Sequence, residues 1–180
     1  MVVIATITGG LDVKEMSAGY RKAQIRQLSQ VMAARELRPL NGPTMTFGPK
    51  DMCPLQASHN DPLVVQLKIA TAMVQRVLVD TGSSVDIITL ECFKKLQYSE
   101  KDLEAIGTPL IGFGGQPHLP SRMKRMSVRI GEKDNSRTVD VNFLVVDIPM
   151  AYNVIVGRPT LKMVKAVIAP YLLLMQFRAG

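Results

Sequence analysis

The sequence predicts a mostly β domain with one or two short helices, preceded by a partly ordered leader. Three observations carry this prediction. Short apolar segments alternate with polar residues at a period of two, turn-forming residues separate these segments, and the first 61 residues differ in pattern from the rest. The 180 residues are 47% hydrophobic and 21% charged, which is typical of a globular chain that buries a core of its own.

Residues 1–61 are predicted to be a leader or linker that is partly helical or disordered. Within them, residues 17–37 carry apolar side chains at helical spacing and predict a helix. A segment rich in turn formers comes next, and its density of proline disfavours regular structure. Its prolines and glycines are Pro39, Gly42, Pro43, Gly48, Pro49 and Pro54. We therefore place the folded domain at residues 62–177.

Alternation of apolar and polar residues predicts the strands of this domain. Residues 63–69 and 73–79 both alternate and are joined by a very short connection, so they predict a β-hairpin. Further strands are predicted at residues 85–90, 110–115, 123–130, 139–145, 154–156, 167–168 and 172–177. Many short strands separated by turns indicate a β-rich architecture.

Short helices are predicted between some of these strands. Residues 91–96 and 100–106 are candidates, and Ser99 is a suitable N-cap for the second, with Asp102 near the positive end of the helix. Pro159 suits the first turn of a helix that comes after the strand at 154–156.

Composition excludes several classes of protein. Cys53 and Cys92 are too few for a disulfide framework or a cysteine-based zinc site, and we expect free thiols. The apolar N-terminal stretch is short and lacks the basic region of a signal peptide, and no apolar stretch is long enough to span a bilayer. We expect an intracellular, cytoplasmic protein that does not bind membranes.

The net charge of +7 is spread along the chain and is weak support for nucleic-acid binding. One local cluster holds four basic residues within eight positions: Arg122, Lys124, Arg125 and Arg129. A solvated hairpin face and a contact with RNA or an acidic polyprotein both remain open for this cluster.

The motif that carries chemistry is Asp80-Thr81-Gly82. A carboxylate directly after a buried strand is costly unless it is hydrogen-bonded or used. Gly82 lets the backbone turn tightly and approach a substrate or a second chain. Asp80 capping a simple β-turn is the alternative. The alternating hairpin before the motif and the apolar run after it favour the functional interpretation.

Four ordered segments resemble the retropepsin-type aspartic proteases, in particular those of plant gypsy-type LTR retrotransposons. They are residues 77–88, 108–115, 141–147 and 151–159, and residues 4–10 and 46–47 resemble the stretch that precedes this protease in plant elements. The resemblance implies a single-lobe retropepsin-like acid protease barrel. The sequence departs from the family pattern at the basic segment 115–122, which lacks an expected glycine after Pro120, and at Val156, where leucine is usual.

The resemblance also implies roles for individual residues. Asp80, Thr81 and Gly82 would be catalytic, Thr81 by bridging two loops through hydrogen bonds and Gly82 by accepting the substrate backbone. The substrate-binding residues would be Ser83, Ser84 and the flap residues Gly112, Phe113, Gly114 and Gly115. The residues that support the site would be Ile155, Val156, Gly157, Arg158 and Asp86. For Asp86 and Arg158, an ion pair and solvated surface charge are both open.

Aspartic proteolysis needs two carboxylates that share one proton, one acting as base on water and the other as acid toward the carbonyl oxygen. The chain contains a single Asp-Thr-Gly, and its folded part is the size of one lobe. The second carboxylate is therefore expected from a second copy in a symmetric homodimer that cleaves an extended peptide or its own polyprotein. No metal or cofactor is expected. The alternative is a catalytically inactive retropepsin-like module for dimerisation or peptide binding.

Overall fold

The computed structural model describes residues 44–48, 51, 60–106, 110–111, 117–118 and 121–179. The strands in these ranges are β1 Val64–Ile69, β2 Ala72–Val79, β3 Asp86–Thr89, β4 Glu104–Ile106, β5 Leu110–Ile111, β6 Pro117–His118, β7 Ser121–Glu132, β8 Asn135–Val146, β9 Val154–Val156, β10 Val167–Ala169 and β11 Leu174–Gln176. The helices are α1 Leu90–Lys95 and α2 Arg158–Met163, and short 3-10 turns lie at Glu100–Asp102 and Pro170–Leu172. The predicted helix at 17–37 falls outside the described residues.

Six strands form a closed barrel in the order β1-β2-β9-β3-β8-β7. The barrel closes where β7 pairs back with β1, through Lys68 with Arg129 and Ile69 with Val128. Closure satisfies backbone groups that an open sheet would leave unpaired at its edges. The predicted mostly β, single-lobe barrel with two short helices is confirmed.

Side chains that alternate along the strands fill the interior. Phe143, on β8, and Phe93, on α1, are fully buried, as are valines and isoleucines from β1, β2, β3, β7, β8 and β9. The fully buried aliphatic residues in the described part of the chain are Ile69, Val77, Ile88, Val128, Val141, Val154, Val156 and Val164. Leu161 and Val164 face the core while Lys162 and Lys165 face solvent, as the helical pattern after Pro159 predicts.

The hairpin of β1 and β2 matches the prediction, and so does the start of α1. Thr89 accepts a hydrogen bond at its hydroxyl from the N–H of Cys92, at 3.2 Å, and caps this helix. Cys92 itself is a buried free thiol.

The predicted helix at residues 100–106 is wrong. Ser99 does form a capping box with Asp102, whose carboxylate accepts from the N–H and the hydroxyl of Ser99 at 2.8 and 2.9 Å. The turn stops at Asp102, and Glu104–Ile106 pairs as strand β4 with the first residues of β7. An isolated short helix is marginal, so a ladder offered by a neighbouring strand outweighs it.

The C-terminal strand is also shorter than predicted. Pro170–Leu172 forms a 3-10 turn and Leu173 takes the left-handed backbone conformation, with φ of 49°, so β11 begins at Leu174. The side-chain amide of Gln176, on β11, donates to the carbonyl oxygen of Thr46 at 2.8 Å.

Neither helix in the described part of the chain has the length and apolar character that a membrane crossing requires.

Candidate active site

The position of β9 between β2 and β3 creates the site. Strand β2 runs parallel to β9, whereas β3 runs antiparallel to it. Therefore β2 and β9 end at the same rim of the barrel, and β3 begins there. Residues 80–85 connect β2 with β3, so they have to cross over the end of β9. We call this crossing segment, residues 80–85, the catalytic loop, after the catalytic role that the sequence predicts for Asp80.

Asp80 begins the catalytic loop and is fixed by its backbone and side chain. Its N–H donates to the carbonyl oxygen of Val156 at 2.9 Å, which extends the parallel ladder one residue beyond β2. Its Oδ1 accepts the N–H of Gly82 at 2.8 Å, and its carbonyl oxygen accepts the N–H of Ser83 at 3.3 Å. A Cβ on Gly82 would lie 3.1 Å from Oδ1, so glycine lets the turn close on the carboxylate.

The other predicted residues of the catalytic loop lie close to Asp80 in sequence and differ in exposure. Thr81, Gly82 and Ser84 are exposed, and Asp80 and Ser83 are half-buried. The hydroxyl of Ser83 donates to the carbonyl oxygen of Val85 at 2.7 Å, which stabilises the second half of the loop. Asp80, Thr81 and Gly82 therefore share one turn at the barrel rim, and their catalytic roles remain predictions.

The predicted flap residues, Gly112, Phe113, Gly114 and Gly115, lie outside the described residues. The strands that flank them are described: Leu110 pairs with His118 and Ile111 with Pro117, both antiparallel.

Gly157 marks the point where the catalytic loop crosses the end of β9. A Cβ at this position would lie 2.3 Å from the carbonyl oxygen of Val85 and 3.0 Å from that of Ser83. The crossing therefore requires glycine for close approach of two backbones. Ile155 and Val156, which were predicted to support the site, pair with Leu78 and Val79 just below it.

Asp86 is buried at the other end of the loop, with 2% of its surface exposed. Its Oδ1 accepts the N–H of Gly157 at 2.7 Å, and its Oδ2 accepts the hydroxyl of Thr160 at 2.9 Å. Burial raises the pKa of this carboxyl above its usual value, although the hydrogen bonds from Gly157 and Thr160 oppose the shift. Asp86 therefore supplies acceptors for donors at the start of α2, the helix that begins directly after Gly157.

Arg158 binds the catalytic loop rather than Asp86. Its N–H donates to the carbonyl oxygen of Ser83 at 3.0 Å. Its guanidinium donates to the carbonyl oxygens of Gly82, at 2.8 Å, and Thr81, at 3.3 Å. The ion pair considered between Asp86 and Arg158 is wrong, because each side chain bonds to other partners.

Sequence reasoning missed Thr160, which is fully buried beside Asp86. The available signal was Asp86 itself, since a carboxylate inside the apolar segment 85–90 needs a hydrogen-bonding partner. Nothing in the sequence pointed to a residue 74 positions away as that partner.

The four basic residues of β7 are largely engaged. Two make ion pairs with exposed carboxylates, one bonds a hydroxyl and one lies over an aromatic ring, and exposed ion pairs are weak. The contacts are Arg122 to Glu100 at 3.0 Å, Arg125 to Asp140 at 2.8 Å, Arg129 to Ser136 at 2.9 Å and Lys124 to the ring centre of Tyr98 at 5.7 Å. These contacts fit a solvated hairpin face, and a contact with RNA or an acidic polyprotein stays a prediction.

Several solved protease structures are similar to this chain, although no protein-family model and no curated protein matches its sequence. The EIAV protease complexed with the inhibitor HBY-793 is 24% identical over 64% of this chain and 99% of that one, at a TM-score of 0.44. The retroviral protease-like domain of Ddi1 from Leishmania major is 14% identical over 64% and 87% of the two chains, at a TM-score of 0.43. A retropepsin-like aspartic protease from Rickettsia conorii is 17% identical over 63% and 80%, at a TM-score of 0.47.

Proposed function

We propose that this protein is an aspartic endopeptidase that works as a homodimer and cleaves peptide bonds of its own retroelement polyprotein. The observation that carries the proposal is the turn at Asp80. This turn holds a half-buried carboxylate at the barrel rim, and one carboxylate oxygen accepts a hydrogen bond from the N–H of Gly82 at 2.8 Å. The resemblance of the surrounding segments to plant retrotransposon proteases supports the choice of substrate.

The reaction needs a second carboxylate, and no other Asp-Thr-Gly occurs in the sequence. Two copies related by a two-fold axis would bring their Asp80 side chains together. One carboxylate would take a proton from water as the water oxygen bonds to the carbonyl carbon, while the other gives a proton to the carbonyl oxygen of the peptide. The tetrahedral intermediate would then collapse as its C–N bond breaks. The leaving amine would take the proton held by the first carboxyl and the second would recover its proton from the intermediate, which releases two peptides. These steps require no metal or cofactor.

The experiment that tests this proposal compares wild type with Asp80→Asn, which keeps the size of the side chain and removes its charge. Cleavage of a peptide library and of the purified polyprotein would be measured from acidic to neutral pH, with and without pepstatin. We expect pepstatin-sensitive cleavage by wild type and none by Asp80→Asn. Analytical ultracentrifugation of both proteins would show a dimer.

Two results would contradict the proposal in different ways. Cleavage by wild type and Asp80→Asn at the same rate would remove Asp80 from the chemistry, and cleavage by a monomer would remove the dimer. Equal peptide binding by both proteins without turnover would instead favour the inactive module for dimerisation or peptide binding.

A further inference from the structure

We propose that Asp86 and Thr160 are positioning residues for the catalytic loop, acting through the first residues of α2. Their kinetic effect rests on the proposed function, whereas their effect on the loop does not. The pair forms one buried hydrogen bond of 2.9 Å between segments that are 74 residues apart in sequence. We call this pair, Asp86 and Thr160, the latch.

The latch is closed to solvent. Thr160 is 0% exposed and Asp86 is 2% exposed, so water has no access with which to replace a lost hydroxyl. Removal of a hydrogen-bond donor from a buried carboxylate destabilises the protein by the full free energy of leaving that acceptor unpaired, because the interior offers no substitute donor. The position of the segment 157–160 therefore depends on the hydroxyl of Thr160 being present.

Three hydrogen bonds from Arg158, the first residue of α2, join the segment 157–160 to the catalytic loop. The N–H of Arg158 donates to Ser83, and its guanidinium donates to Gly82 and Thr81. Gly157 lies so close to the carbonyl oxygen of Val85 that a Cβ on Gly157 would not fit between the two backbones. A shift of residues 157–160 would therefore move the carbonyl groups of the loop.

Both ends of the catalytic loop are hydrogen-bonded to the end of β9, one to its last residue and the other to the residue directly after it. At its beginning, the N–H of Asp80 bonds to Val156, the last residue of β9. At its end, Asp86 bonds to the N–H of Gly157, the next residue. The latch adds Thr160 to the second attachment, so opening it would weaken that end of the loop while the first end stays paired.

The test uses amide hydrogen exchange of residues 80–86, measured by mass spectrometry on the whole protein. Thr160→Val keeps the shape of the side chain and removes the hydroxyl, and Thr160→Ser keeps the hydroxyl. Thr138→Val, at an exposed position of β8, is the matched control. We expect exchange in the loop to be roughly tenfold faster in Thr160→Val, because a buried hydrogen bond is lost. Exchange in Thr160→Ser and Thr138→Val should stay close to that of wild type.

Unchanged exchange of residues 80–86 in folded Thr160→Val would overturn the proposal. If this variant does not fold, Thr160→Ala is measured in the same way, because it also removes the hydroxyl and leaves Asp86 bonded to Gly157. Exchange in the loop of Thr160→Ala at the rate of wild type would also overturn it.

Peptide cleavage gives the second readout, at a temperature where all variants are folded. We expect kcat/KM to fall about tenfold in Thr160→Val and to recover in Thr160→Ser. A purely structural role would lower the melting temperature of Thr160→Val and leave its kcat/KM and its loop exchange unchanged. If wild type cleaves nothing, the proposed function fails, while the exchange result still decides the role of the latch.

Discussion

The guanidinium of Arg158 donates a hydrogen bond of 2.8 Å to the carbonyl oxygen of Gly82, which lies 76 residues earlier in the chain. The same group reaches the carbonyl oxygen of Thr81 at 3.3 Å. A planar guanidinium can serve two neighbouring acceptors, which a lysine ammonium on a flexible stem does with less defined geometry. Arg158 therefore orients the peptide carbonyl groups of Thr81 and Gly82.

We predict that Arg158→Lys lowers kcat/KM by about tenfold or more, because misplacement of groups in the site by about 1 Å is costly to catalysis. Its melting temperature should change little, since the side chain is exposed and the main-chain bond to Ser83 remains. Arg125→Lys, at an exposed ion pair, is the control. Steady-state kinetics and thermal unfolding check both points. Equal kcat/KM for Arg158→Lys and wild type would contradict the role of Arg158.

Glycine-to-alanine substitutions should separate stability from activity. Gly157→Ala puts a Cβ 2.3 Å from a backbone oxygen, which has no flexible way to yield, so we expect a loss of about 3 kcal/mol in the free energy of unfolding. In Gly48→Ala the nearest atom is 4.0 Å away, and stability should be unchanged. Urea unfolding measures both. A Gly157→Ala protein as stable as Gly48→Ala would argue against the close crossing.

Gly82→Ala should behave differently from Gly157→Ala. Its Cβ would lie 3.1 Å from Oδ1 of Asp80, a contact that displaces the carboxylate without touching the core. We expect cleavage to fall at least tenfold while the unfolding midpoint changes little. Kinetics and urea unfolding of the same preparation check this prediction. Full activity in Gly82→Ala would show that the carboxylate tolerates the displacement.

The raised pKa of Asp86 predicts an unusual pH dependence of stability. As pH rises from below the ordinary carboxyl pKa, the unfolded chain releases this proton first, whereas the folded chain retains it up to the raised pKa. The contribution of Asp86 to stability therefore falls as pH rises through this window, by at most about 1.4 kcal/mol per pH unit. Asp86→Asn removes this contribution.

The measurement is the difference in unfolding free energy between wild type and Asp86→Asn from acidic to neutral pH. Glu91 and Asp102 have lowered pKa values and contribute with the opposite sign, but they are present in both proteins and cancel in the difference. If the difference in unfolding free energy between wild type and Asp86→Asn stayed constant with pH, the predicted pH dependence could not be assigned to Asp86.

The dimer predicts that an inactive chain suppresses an active one. After exchange of subunits with about ninefold excess of Asp80→Asn, only about a tenth of the wild-type chains would pair with another wild-type chain. Activity per wild-type chain should fall to about that fraction, while the same excess of bovine serum albumin should have no such effect. Activity that is insensitive to Asp80→Asn would mean that each chain carries a complete site.

Much of the fold could be predicted from local pattern. Alternation identified the β1–β2 hairpin and residues 139–145 of the long strand β8, and Pro159 marked the start of α2. Residues 100–106 could not be assigned in this way. Ser99 and Asp102 form the cap of a helix, but the pairing of Glu104–Ile106 with β7 ends it. That pairing depends on a strand that begins at Ser121, outside any local window.

For the candidate site, local sequence pattern is enough to predict that a carboxylate and a glycine come after a buried strand, and that the chain carries this motif once. It does not predict that β9 lies between β2 and β3, that Asp86 bonds to Gly157 and Thr160, or that Arg158 bonds to the loop. This difference follows from the range of the forces involved. Turn and strand preferences arise between neighbours in sequence, whereas a buried carboxylate takes whichever donors the packed core brings to it, here from more than 70 residues away.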